Sequence, residues 1–320
     1  MSKYYAGERG EYADRPLAIP RRGWWQILKR VYGEMAEDRL SIISAGISYY
    51  CLLGVFPGIA VLIMLYGVFS DPAEVRDRLA TFSDVLPADA YAMLVDQLDR
   101  IRDSAGSELG FGLLASFALA TWGASRAVQA LMIAMNVAYQ QPERRGVIRR
   151  NLVALGLTLG GVCFFILSIT AIAALPAAAA VLNLGRLVTF GLGVLQWGAL
   201  CIAAIFALAV LYRVAPCRAS PRFRWVTPGA IVATLLWMVS SLLFSFYVAN
   251  FAHYDQTFGS IGAVVILLLW FYISAFAVCL GAEINAELEH QTYRDTTTGP
   301  TRPIGERGAY VADNVAPPPR

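Results

Sequence analysis

The feature that most constrains this chain is a series of apolar stretches, each long enough to cross a lipid bilayer. Six of them, at about 41–70, 111–137, 152–182, 188–211, 228–252 and 260–284, are almost free of charge. A helix needs about 20 apolar residues to span the hydrocarbon core. The sequence therefore predicts an all-α, polytopic membrane protein with six transmembrane helices. Composition agrees: 15% of residues are charged and the mean hydropathy is +0.54, whereas soluble domains carry about 25% charged residues. A globular enzyme with a large core is excluded. The third stretch is long, contains Pro176, and is joined to the fourth by the short link Asn183–Leu187. Tilt or a proline kink absorbs such excess length; a re-entrant segment is the alternative.

Orientation follows from the basic residues. With the N-terminus inside, the segments 1–40, 138–151, 212–227 and the C-terminal tail hold 20 Lys and Arg, against 5 in the outer segments. The positive-inside rule then puts both termini in the cytoplasm, and an even number of spans is required. The expected organisation is a polar N-terminal tail (1–22), a six-span membrane domain (23–290) and a disordered cytoplasmic tail (291–320). Residues 1–22 do not read as a cleavable signal peptide, so the first span is expected to direct insertion into the bacterial inner membrane. Of the five cysteines, Cys51, Cys163, Cys201 and Cys279 lie in spans and Cys217 in a cytoplasmic turn. Disulfides and a zinc site are not expected from this placement.

Ahead of the first span, Trp24, Leu28, Val31 and Met35 recur on one helical face. That spacing, with Lys29 and Arg30 nearby, predicts an N-terminal interfacial helix. The outer loop 71–110 holds nine acids and four bases. Tyr91, Leu94, Leu98 and Ile101 give it an amphipathic helical face, which predicts a helical cap with no recognisable calcium-loop spacing.

The polar residues inside the apolar stretches are the candidate site. Arg126 sits in TWGASRAVQALMIAMN, and inserting an arginine at a helix centre costs about 2.5–3.5 kcal/mol on translocon scales. Gln129 and Asn136 follow at i+3 and i+10, on roughly the same face. An interior polar face and a snorkelling, interfacial arginine are the two readings. Glu283, in CLGAEINAELE, is the candidate partner, directly or through Asn285; Tyr49, Tyr50, a backbone carbonyl and an anionic substrate are the others. Ser48 lies on a small, polar face of the first span, and Pro57 is expected to bend that helix. Trp270 adds an aromatic wall. Gly156 and Gly160 form a GxxxG read as helix packing, and Gln196 as a helix–helix hydrogen bond. In the turn 212–230, Arg213, Arg218, Arg222 and Arg224 occur without one acid, which suits anionic lipid headgroups at the cytoplasmic face as well as topology enforcement. Nucleic acid is not an expected partner.

Taken together, AGISYYCLLGVFPG in the first span, YRVAP with its basic turn and PGA (212–230), and FGSIGAVVILLLWFYISAFAVCLGAEIN (258–285) resemble the YihY/BrkB-like family of bacterial inner-membrane proteins. The resemblance covers roughly residues 25–290; Phe258-Gly259 stands where that family commonly has Tyr-Gly. It implies a six-span inner-membrane protein, with suspected transport roles and an old ribonuclease label. The residues do not support that label, because His253 and His290 are the only histidines and fall on opposite sides of the membrane. The expected function is a transporter or exporter of an anionic or amphipathic small molecule, with Arg126 supplying charge. The alternative is a non-transporting scaffold or envelope factor that binds lipids or partner proteins. No cofactor is expected, and the oligomeric state, homo-oligomer included, is open.

Overall fold

The computed structural model describes residues 7–69, 106–181, 185–251 and 260–317. The expected outer helical cap and His253 fall outside these residues. Among the described residues a short 3-10 turn, Pro16–Ala18, precedes eight α-helices: α1 Arg21–Glu37, α2 Leu40–Phe69, α3 Gly106–Ala138, α4 Val147–Val181, α5 Arg186–Val214, α6 Phe223–Phe251, α7 Ser260–His290 and α8 Tyr310–Asp313. Among the described residues there are no strands, only one isolated antiparallel bridge between Pro221 and Thr297. The all-helical class is as expected.

Among the described residues, five helices are long and apolar enough to cross a membrane: Leu40–Val61, Val147–Leu175, Leu187–Val214, Phe223–Asn250 and Gly262–His290. The sixth expected span, α3, is 33 residues long but is not among them. It is the helix that carries Arg126, Gln129 and Asn136, and these polar side chains dilute its apolar character. Pro57 lies inside α2 without ending it. All five cysteines are free.

The chain forms two compact units. The second comprises Ala45–Ala127 and Ser241–Ile273; the first comprises Met1–Ser44, Val128–Ser240 and Ser274–Arg320. In the second unit α2 and α3 meet at a glycine pair. A β-carbon built on Gly123 would lie 2.6 Å from the Gly54 Cα. Without a driving force from water, helices in lipid associate by such close backbone approach.

In the first unit a second glycine pair joins α6 to α7. A β-carbon on Gly281 would lie 2.7 Å from the Gly229 carbonyl oxygen and would also strike the Tyr212 hydroxyl. The glycines of the α4 GxxxG behave differently: Gly156 and Gly160 have nothing within 4 Å of the β-carbon position. The packing expected there does not occur among the described residues. Gln196, as expected, bonds between helices, its Nε2 donating to the Ala171 carbonyl of α4 at 2.9 Å.

The apolar core of the first unit gathers Ala13, Ala18, Ile19, Ile27, Val31, Trp225, Ile284 and Leu288, with Trp24, Met35 and Leu280 against it. Helix α1 thus buries Ile27 and Val31, while Leu28, expected on the same face, is 50% exposed alongside Trp25 and Tyr32. The apolar residues of α1 serve two faces, one turned to protein and one outward.

Overpacking a close-packed contact typically costs about 1–3 kcal/mol. Gly281→Ala is therefore expected to lower the melting temperature of the detergent-purified protein clearly. Gly160→Ala, at an open position, should leave it unchanged or slightly raised. Equal behaviour of the two variants would show that the α6–α7 approach does not limit stability.

Candidate functional site

The end of α7 is buried at every position from Gly281 to Glu289. Four of those residues are polar: Glu283, Asn285, Glu287 and Glu289 are each at most 3% exposed. Buried carboxylates and amides are tolerated only when paired, so each partner can be asked for.

Asn285 is satisfied by α6. Its Oδ1 accepts the Gly229 N–H at 2.7 Å and its Nδ2 donates to the Val226 carbonyl at 2.9 Å. Pro228 stands between those two residues and lacks an N–H. The amide of Asn285 therefore splices into the first turns of α6, where proline disturbs the helical ladder. Nearby, the Tyr212 hydroxyl donates to the Val278 carbonyl at 2.8 Å. The quoted YRVAP, PGA and CLGAEIN segments meet here, and Asn285 is held structurally.

Glu289 is gripped by Arg218, whose two terminal nitrogens donate at 3.2 and 2.6 Å to its two oxygens. Both side chains are fully buried. Thr296 Oγ1 adds a third donor at 2.6 Å, and the Arg218 guanidinium lies 4.7 Å from the Tyr139 ring centroid. Arg222 Nε donates to the Thr297 carbonyl at 2.9 Å. Arg218 is thus internal and unavailable to a lipid headgroup, a correction to the expectation; the turn recruits it because Glu289 needs a cation. Arg224 is exposed, and Arg213 lies 4.4 Å from the Phe223 ring centroid.

Glu287 pairs with Arg30 of α1, which also donates to Gln291 Oε1 at 2.6 Å. His290 Nδ1 stands 3.5 Å away on the same carboxylate. Glu283 has a different environment. It meets Asp38 side chain to side chain, and the buried oxygens Asp38 Oδ2 and Glu283 Oε1 have no N–H or O–H donor. Glu34, Glu37 and Asp38 also crowd the C-terminal end of α1, where the helix dipole disfavours negative charge. Burial, and then the neighbouring acids, push the Glu34 carboxyl up; burial does the same to Asp38.

The C-terminal tail is a second correction. Residues 291–317 were expected to be disordered, yet Thr292, Thr296, Thr297 and Arg307 are buried. Thr292 Oγ1 donates to the Ala13 carbonyl at 2.8 Å, Gln291 Nε2 to the Arg9 carbonyl at 2.8 Å, and the Tyr293 N–H to the Glu11 carbonyl at 2.6 Å. Arg307 donates to the carbonyls of Tyr293, Arg294, Arg302 and Ala312. A polar segment folds here because its side chains bind backbone groups. Composition alone gives no signal of that.

The polar stripe of α3 divides. Asn136 is buried and its amide is occupied: Oδ1 accepts the Cys217 N–H at 2.7 Å and Nδ2 donates to Glu143 at 2.9 Å. Glu143 also takes two bonds from Arg145 at 2.8 Å, which with the Asn136 amide hold its carboxyl down at about 2. Asn136 therefore fastens the α3–α4 connection to the α5–α6 turn. Gln129 belongs to the same first unit. Arg126 belongs to the second unit, with Ser48, Tyr49, Tyr50, Pro57 and Trp270. There Arg126 is exposed, its guanidinium 5.7 Å from the Trp122 ring centroid, while Gly123 and Ala127 are buried. One turn from the Gly54–Gly123 contact lie Arg126 on α3 and Tyr50 on α2. Ser48 Oγ is satisfied by the Ala45 carbonyl at 2.8 Å, and the Tyr49 and Tyr50 rings meet edge-on at 5.5 Å.

Removing one partner of a buried ion pair costs about 3–5 kcal/mol. Arg218→Ala should therefore unfold at markedly lower temperature than wild type, and adding Glu289→Leu should restore part of the loss. No recovery in the double variant would mean that the Tyr139 contact, and not the ion pair, dominates. The acid pair predicts a pH effect of definite sign. Asp38 binds its proton more tightly folded than unfolded, so its contribution is complete below the ordinary value of 3.8 and fades as pH rises through the raised value. The melting temperature of wild type should fall with rising pH relative to Asp38→Asn. Parallel pH profiles for the two proteins would refute a raised Asp38 carboxyl.

Comparison with known proteins places these features in a family. The family model described as virulence factor BrkB matches residues 31–304, from within α1 through α7 into the folded tail. The ribonuclease-like protein YfkH of Bacillus subtilis is 33% identical over 273 residues, covering 82% of this chain and 94% of the relative. A UPF0761 membrane protein of Alteromonas mediterranea is 30% identical over 263 residues, 79% of this chain and 84% of the relative. A UPF0761 membrane protein of Vibrio atlanticus is 26% identical, with 83% of each chain covered. No solved structure matches the chain. With five apolar spanning helices and this match over most of its length, the chain belongs to the BrkB family of membrane proteins.

Proposed function

We propose that this protein is an inner-membrane transporter of an anionic or amphipathic small molecule, with six spans and both termini in the cytoplasm. The topology has two supports. The N-terminal segment and the tail bond to each other at one end of α7, which calls for an even number of crossings. The five apolar helices then need α3 as a sixth, and its 33 residues reach about 50 Å at 1.5 Å per residue. The excess of basic residues on that side makes it the cytoplasmic one.

The observation that carries the transport reading is Arg126. It is exposed on a helix that this topology places in lipid, beside Trp122 and one turn from the α2–α3 glycine contact. An ionisable residue at membrane depth marks a substrate path more often than a lipid-facing surface. Tyr50 at the same level supplies an aromatic hydroxyl. The reading includes no ribonuclease step. The scaffold alternative draws its support from the folded layer of residues 7–19 and 291–317, an ordered platform at the cytoplasmic end.

Purified wild type and Arg126→Ala, reconstituted into liposomes loaded with small organic carboxylates and phosphate monoesters, provide the test. Wild type should release at least one of these anions faster than protein-free vesicles. Arg126→Ala should slow that release by about tenfold or more, a loss of about 1.4 kcal/mol in binding terms, with its melting temperature unchanged. Anion release that survives the substitution, or a large fall in stability, would make Arg126 a structural residue and remove the basis of the reading.

A further inference from the structure

A cleft of about 820 Å³ opens in the first unit between the α3–α4 connection, the α5–α6 turn and the folded tail. Its volume is within the range of small-molecule sites, about 300–1,000 Å³. Five arginines line it, Arg144, Arg145, Arg149, Arg213 and Arg218, against a single carboxylate, Asp313. Two of these arginines are already committed, Arg145 to Glu143 and Arg218 to Glu289. Asp313 is committed too. Its Oδ1 accepts the N–H groups of Gly305 and Arg307 at 2.8 and 3.0 Å, and its Oδ2 accepts that of Gly308 at 3.0 Å. It closes the tail loop and does not neutralise the cleft.

Three guanidiniums remain. Among the described residues no acid forms an ion pair with Arg144, Arg149 or Arg213. Arg144 and Arg149 are exposed. Arg213 is oriented by the Phe223 ring beneath it at 4.4 Å, an arrangement that fixes the plane of the guanidinium and leaves its N–H edge to donate. Ser220, Tyr310 and Asn314 add neutral polar groups to the wall. Three guanidiniums lining one cleft, with hydroxyl and amide groups beside them, are the donor set that phosphate oxygens select, because each planar fork can give two parallel hydrogen bonds.

From this geometry we infer that the cleft binds a phosphate-bearing ligand of headgroup size, held by Arg144, Arg149 and Arg213. The site is independent of Arg126 and of the transport reading. It also differs from the lipid-facing turn expected from sequence. Two of its arginines come from the α3–α4 connection and α4, and the folded tail supplies a wall. Two sources offer this chemistry: the headgroup of an anionic lipid and a soluble phosphate compound.

The full-length protein in neutral detergent is titrated with inorganic diphosphate and, separately, with short-chain phosphatidylglycerol, with short-chain phosphatidylcholine as the neutral control. Binding is read by calorimetry and by the shift in melting temperature. At least one anionic probe should bind, weakening as salt is raised, while phosphatidylcholine should not. Preference for phosphatidylglycerol assigns the site to lipid, and preference for diphosphate assigns it to a soluble ligand; either outcome supports the inference. The Arg144→Ala/Arg149→Ala/Arg213→Ala variant should lose tenfold or more in affinity. Should that variant fold poorly, Arg149→Glu, a single change at an exposed position, should produce the loss by itself. Binding of neither probe, or undiminished binding by Arg149→Glu, overturns the inference.

Discussion

The fold of the first unit depends on one requirement: of four polar side chains buried at the end of an apolar helix, Asn285, Glu287 and Glu289 must each find a hydrogen-bonding or ionic partner. Glu283, Asn285, Glu287 and Glu289 lie within seven residues of one another. A helix turns about 100° per residue, so Glu283 and Glu287 share one face and Asn285 and Glu289 the opposite one, and each calls up a different neighbour. Asn285 calls up the broken first turns of α6, Glu287 calls up Arg30 of α1, Glu289 calls up Arg218 of the α5–α6 turn, and Glu283 calls up Asp38. Three parts of the chain, α1 with its C-cap, the α5–α6 turn and the start of α6, are fixed by one short segment. An apolar helix end would pack as well, but it would not specify which neighbours it meets.

This arrangement separates the sources of stability from the sources of chemistry. Residues that look functional in sequence, Asn136, Asn285 and Arg218, have every polar group committed inside the protein. Residues left for function are the ones the network does not consume. In the first unit these are Arg144, Arg149 and Arg213. The Arg145–Glu143–Asn136 chain of hydrogen bonds then has a further consequence. By fastening the α3–α4 connection to the α5–α6 turn, it brings Arg144 and Arg149 to the same cleft as Arg213. A structural network thereby positions charges that it does not itself neutralise.

Two features of the sequence pointed in the wrong direction for identifiable reasons. The GxxxG of α4 has the spacing of a helix-packing motif, but spacing alone does not say which helix approaches. The close contacts use single glycines on facing helices instead, Gly54 with Gly123 and Gly229 with Gly281. The tail after residue 291 has the Thr, Pro, Gly and Arg content of a disordered segment. Disorder follows from lacking apolar surface to bury, yet this segment is held by hydrogen bonds to backbone carbonyls of residues 9–13 and of its own turns.

The sequence by itself determined the all-helical membrane class. Hydrophobic length is a local property, and the bilayer reads it locally. It also singled out the family segments and the polar residues worth questioning. Tertiary structure alone decided what those residues do, because a buried side chain's role is set by its partner. The partners here are 71 residues apart for Arg218 and Glu289 and 257 apart for Arg30 and Glu287. No periodicity spans such distances. Only folding brings each charge to its counter-charge, and only then can the arginines without one be recognised.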